Sequence, residues 1–127
     1  MTRLRYWLTA KTQYNIHSPF IFDLYNDVLF AQVGKEKRRD AYSSLVFKFA
    51  EHFGLKTISN DANQTIFEPS KDFERLLIVN QPHCDAQAEK RFESLSDSPD
   101  YNVVLDLYDA AVLFSRPSMH AQKYLLK

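Results

Sequence analysis

Apolar positions in this 127-residue chain first follow a helical rhythm and then, beyond Gly54, break into short runs of strand length. Ile21, Leu24, Tyr25 and Val28 recur at i, i+3, i+4 and i+7, the spacing that lines one side of a helix. Ser18 suits an N-cap, and Pro19 suits the first helical position, where its missing N–H would have had no partner. A helix is therefore predicted from Pro19, fading near Gly34, with Lys35 to Asp40 as a charged connector. A second stripe of Tyr42, Leu45, Val46, Phe49 and Phe53 ends on Gly54, where a left-handed C-cap is expected.

The later runs read as strands: Lys56 to Ser59, Gln64 to Phe67, Arg75 to Val79, Tyr101 to Leu107, Ala111 to Phe114 and a last edge strand at Lys123 to Leu126. Parallel neighbours need a crossover of a dozen or more residues. Asn60, Asp61, Ala62 and Asn63 are too few, so the first two strands are expected to form a hairpin. The gap from Phe67 to Arg75 allows a loop or one helical turn begun by Pro69. Between Val79 and Tyr101 there is room for a helix opened by Pro82 to Asp85, with Ala88, Phe92 and Leu95 inward. That spacing predicts parallel pairing of Leu76 to Val79 with Tyr101 to Leu107 through a βαβ unit, followed by an antiparallel return at Ala111 to Phe114.

Composition adds bulk to this outline. With 45% hydrophobic residues, including ten Phe, seven Tyr and one Trp, the chain suits one aromatic-rich domain and is too short for two. Its 16 basic and 16 acidic residues cancel, which argues against nucleic acid as the main partner. Residues 1–60 nevertheless hold 9 basic and 5 acidic side chains, against 7 and 11 in residues 61–127, so a basic face and an acidic face are expected. One cysteine, Cys84, excludes an internal disulfide, and no apolar run reaches the length of a membrane span; the cytoplasm is the expected compartment.

Few polar residues point to chemistry. His17 precedes a capped helix and reads as a backbone hydrogen-bonding residue. His83, Cys84 and Asp85 are consecutive, so their side chains diverge and do not make a metal-ligand set. Cys84 as a nucleophile would need an oriented base such as His52 or His120. Asp106 and Asp109 flank a hairpin turn, where aspartate commonly bonds local backbone. Arg3, Arg5 and Lys11, with Tyr6 and Trp7 between them, read as a solvated helix face with aromatic anchors.

Tyr6-Trp7-Leu8-Thr9-Ala10-Lys11-Thr12 and Tyr14-Asn15-Ile16-His17-Ser18-Pro19-Phe20-Ile21-Phe22-Asp23 resemble the N-terminal helical extension of class I S-adenosylmethionine-dependent methyltransferases of Bacteroidetes. Leu105-Asp106-Leu107-Tyr108 and Val112-Leu113-Phe114-Ser115-Arg116-Pro117 are similar to that group's closing hairpin. Tyr42 to Phe53 with Lys56-Thr57-Ile58 is similar to the helix and strand that lead into the cofactor site. The resemblance implies a glycine-rich acidic loop after that strand and a later acid on the ribose hydroxyls. Here Ser59 to Gln64 stands in place of the loop, and no glycine occurs from Leu55 to Lys127. Side chains obstruct the close backbone approach such a loop provides. Asp61 and Glu68 are the candidate cofactor acids, and the missing crossover helix argues against Glu68 on the ribose.

The expected architecture is therefore one α/β domain, with N-terminal helices in residues 1–34 and a reduced, Rossmann-like mixed sheet in residues 40–127. The expected role is non-catalytic: a methyltransferase-like remnant, without cofactor, that binds a protein partner or a second copy through Tyr6, Trp7, Phe20, Phe22 and Phe30. The alternatives are a methyltransferase with an atypical or subunit-shared S-adenosylmethionine site, and an RNA-binding accessory using Arg3, Arg5, Lys11 and Lys35 to Arg39.

Overall fold

A computed structural model describes residues 19–29 and 41–126. The helix α1, Pro19–Leu24, runs into a π-helical turn, Tyr25–Leu29, and α2 spans Ala41–Phe53. They are followed by β1 (Thr57–Asn60), β2 (Gln64–Phe67), β3 (Arg75–Asn80), α3 (Ala86–Ser96), β4 (Val103–Asp106), β5 (Ala110–Ser115) and β6 (Gln122–Leu125). The strands form one six-stranded mixed sheet in the order β1-β2-β3-β5-β4-β6. Only β4 and β6 pair in parallel; the other neighbours are antiparallel.

Period-two alternation divides the sheet's side chains between two cores. Phe67, Leu76, Ile78, Val103, Leu105, Val112 and Phe114 face the helices before the sheet, meeting Ile21, Leu24, Val28, Leu45 and Phe49. Leu77, Val104, Ala111 and Leu113 face the other way, toward Phe92 of α3. Both faces of the central strands are thus covered, and all four residues of β4 are buried. The α2 stripe is inward as expected, and Gly54 adopts φ +65, the left-handed C-cap the sequence implies. Phe73, in the β2–β3 loop, plugs the larger core, edge-to-face with Phe20, Phe53 and Phe114. Its loop is held by Ser70 Oγ, which accepts from the amides of Asp72 and Phe73.

The hairpin between β1 and β2 is present, with an irregularity in register between Thr57 and Ser59. The parallel pairing expected for β3 and β4 is not. β5 lies between them, antiparallel to both, so the two strands run in the same direction as next-nearest neighbours. β5 matches β3 residue for residue over six positions, Arg75↔Ser115 to Asn80↔Ala110, and pairs with β4 over four. The chain then passes β4 and adds β6 at the far edge. Asn102 fixes that return, its amide donating to the carbonyls of Arg116 and Met119 and its oxygen accepting from the Arg116 amide.

Candidate functional site

In open α/β sheets, ligands bind beyond the carboxyl ends of same-direction strands. Here the carboxyl ends of β3 and β4 lie on one side of the sheet, joined by the Gln81–Asp85 loop, α3 and the Leu107–Asp109 turn. Asp85 caps α3: its backbone is extended and its Oδ1 accepts from the Ala88 amide at 2.7 Å. Cys84 is exposed, its Sγ 3.7 Å from Asp85 Oδ2. His83 points into the protein, and its side chain is 6% exposed.

Each ring nitrogen of His83 meets a carboxylate: Nε2 lies 2.6 Å from Asp106 Oδ2 at the end of β4, and Nδ1 lies 2.7 Å from Glu89 Oε2 on α3. The ring stacks on Tyr108 at 5.0 Å and meets the Phe92 edge at 5.6 Å. Burial is the largest influence on this imidazole and pulls its pKa down, but the hydrogen bonds and charges of Asp106 and Glu89 together outweigh it. His83 therefore titrates above its ordinary 6.5, and the protonated ring donates at both nitrogens. Asp106 is further oriented by Oδ1, which accepts from the Tyr108 amide at 2.9 Å.

Two non-glycine residues here are left-handed, Gln81 at φ +51 and Tyr108 at φ +69. They bracket the histidine, and Gln81 N–H donates to the Asp109 carbonyl at 3.0 Å, which stitches loop to turn. Backbone strain of this kind persists where the surroundings over-determine it. Beside it lies a cleft of about 270 Å³, lined by Asn63, Gln81, Cys84, Arg91, Phe92 and Leu95 among others.

The two candidate cofactor acids are elsewhere. Asp61 closes the β1–β2 turn: its Oδ1 accepts from the amides of Asn63 and Gln64 at 2.7 and 3.0 Å, and those bonds lower its pKa. The Asp61 carbonyl accepts from Tyr42 Oη at 2.7 Å, and that hydroxyl is 2.6 Å from the buried Thr65 Oγ1. Glu68 lies exposed at the opposite end of β2, its amide donating to the Lys56 carbonyl. The four residues of β2 separate the two acids, so the fold does not bring them onto one ligand.

Of the aromatic surface residues, Phe20 is half-buried, edge-to-face with Phe73 and Phe114, with the Arg116 guanidinium 3.8 Å above its ring. Tyr6, Trp7, Phe30 and the side chain of Phe22 lie outside the described residues, as do His17, Arg3, Arg5, Lys11 and Lys35 to Arg39. The Glu89–His83–Asp106 arrangement has no local motif in the sequence, because its three members come from a loop, a helix and a strand. The available signal was the shared direction of β3 and β4, which sets Asp106 and the Pro82–Asp85 loop at one end of the sheet.

No protein-family model, curated protein or solved structure matches this chain. No helix among the described residues is long and apolar enough to cross a membrane.

Proposed function

We propose that this chain is a non-catalytic, methyltransferase-like module that works by binding another protein or a second copy of itself, in the cytoplasm. One observation carries the reading: at the carboxyl ends of β3 and β4, where an α/β enzyme would receive its ligand, the chain places its own His83 with both nitrogens held by carboxylates. While it is doubly protonated and held in this way, the imidazole has no lone pair to offer a substrate. Absence of glycine after Gly54 and the tight β1–β2 hairpin in place of a crossover support the same conclusion. The binding role is supported by the large apolar side chains left outside among the described residues, Phe47 at 65% and Ile58 at 63% exposure, and by the edge strand β1, all four residues of which are exposed.

A ligand that binds only the folded state stabilises it by about 2.7 kcal/mol at a hundred times its dissociation constant. Millimolar S-adenosylmethionine is expected to leave the thermal midpoint unchanged, while light scattering or a native-lysate pull-down detects association. A saturable midpoint increase would transfer the reading to a cofactor-binding methyltransferase, and binding to RNA with a steep salt dependence would transfer it to an accessory role.

A further inference from the structure

We propose that His83 is a pH-operated latch, which when protonated binds the Gln81–Asp85 loop and α3 to the end of β4 and, on losing its proton, lets go of Glu89. The latch stands on geometry independent of any methyltransferase kinship. A ring 6% exposed is clamped by carboxylates from two different elements, at 2.6 and 2.7 Å, and only the doubly protonated imidazole can donate to both. Among the described residues, the titratable groups in contact with the ring are Glu89 on α3, Asp106 on β4 and Tyr108 in the following turn. That turn also carries the buried Asp109, while Cys84 and Asp85 of the same loop face each other.

Exposure determines which bond is lost. The Asp106 carboxylate is 5% exposed and also accepts from the Tyr108 amide, whereas the Glu89 side chain is 25% exposed. When the Nδ1 proton leaves for solvent, Nε2–H remains on Asp106. The bare Nδ1 lone pair then faces a carboxylate oxygen at 2.7 Å, an acceptor against an acceptor, and the Glu89 carboxylate parts from the ring. Glu89 lies in the first turn of α3, one residue beyond Ala88, which lines the cleft with Gln81, Pro82 and Cys84. Release therefore loosens the joint between loop and helix on the cleft side. Raising pH through the His83 midpoint opens the latch, and lowering it closes the latch.

The test is an NMR titration of the full chain between about pH 5.5 and 9.5, following the His83 ring and the backbone amides of Gln81 to Glu89, in wild type and in Glu89→Gln. The latch predicts a ring midpoint above the ordinary 6.5 and loop amides that shift with the same midpoint. Glu89→Gln is expected to lower the ring midpoint and to uncouple the amides, because a neutral carboxamide can donate to the unprotonated Nδ1. A wild-type midpoint at or below 6.5, loop amides without an inflection at the ring midpoint, or a variant that titrates like wild type overturns the proposal. The wild-type titration is decisive alone should the variant fail to fold.

Discussion

His83 Nε2 and Asp106 Oδ2 are 2.6 Å apart although 23 residues separate them in the chain, and this contact joins the start of α3 to the end of β4. Both side chains are nearly excluded from water, at 6% and 5% exposure. Removing Asp106 leaves the buried Nε2 of His83 without its partner, although Glu89 still holds Nδ1. Asp106→Ala is accordingly expected to cost about 3 kcal/mol of folding stability. Glu89→Ala, at the more exposed partner, is expected to cost about 1.5 kcal/mol. Urea unfolding of both variants checks the order; equal losses would mean that burial does not distinguish the two carboxylates.

The larger core predicts a sharper contrast between two phenylalanines. Phe73 is 1% exposed and packs against four other phenylalanine rings, Phe20, Phe49, Phe53 and Phe114. Phe73→Ala should cost about 3–5 kcal/mol through lost transfer energy and the cavity left behind. Phe47, 65% exposed on α2, should tolerate alanine within about 0.5 kcal/mol. Thermal unfolding of the two variants provides the check.

Tyr42 and Thr65 tie α2 to the β1–β2 hairpin. Burial is the main reason the Tyr42 hydroxyl titrates above its ordinary value, and its partners are the Thr65 hydroxyl and the Asp61 carbonyl. Tyr42→Phe removes the hydroxyl and leaves those groups short of a partner, at a cost of about 1–3 kcal/mol. In a double-mutant cycle with Thr65→Val, the two losses should sum to more than the loss in the double variant. Strict additivity would show that the 2.6 Å contact carries no coupling.

Strong acid should loosen the hairpin turn through Asp61. The Asn63 and Gln64 amides hold the Asp61 carboxyl below its ordinary 3.8. A depressed carboxyl contributes its stability above pH 3.8, and that contribution disappears as pH falls through the lower folded value. Amide shifts of Asn63 and Gln64 should move with that low midpoint. Movement at or above 3.8 would show that the turn bonds do not hold the charge.

Local regularities were legible in the chain, and pairings across the sheet were less so. The stripe from Tyr42 to Phe53 and its Gly54 cap define α2 because helical spacing and a left-handed stop are local signals. The four residues between Ser59 and Gln64 define the first hairpin for the same reason. The place of β5 was not legible: a short turn makes it antiparallel to β4 but is silent on which edge of β4 it takes. With β5 on the inner edge, β3 and β4 became next-nearest neighbours. In the sequence His83 stands out only beside Cys84 and Asp85, since its partners come from α3 and β4 and meet it only after the sheet closes. The left-handed Gln81 and Tyr108 carry no residue signal, because glycine would have been the cue and the segment has none.

In the function proposed above, His83 and its two carboxylates occupy the carboxyl ends of β3 and β4 and no cofactor binds there. The most direct test is an amide NMR spectrum of the labelled protein with S-adenosylmethionine added to millimolar concentration. The account predicts that resonances of Gln81 to Asp85 and of Leu107 to Asp109 stay where they are. Saturable shifts concentrated in those two segments would contradict it.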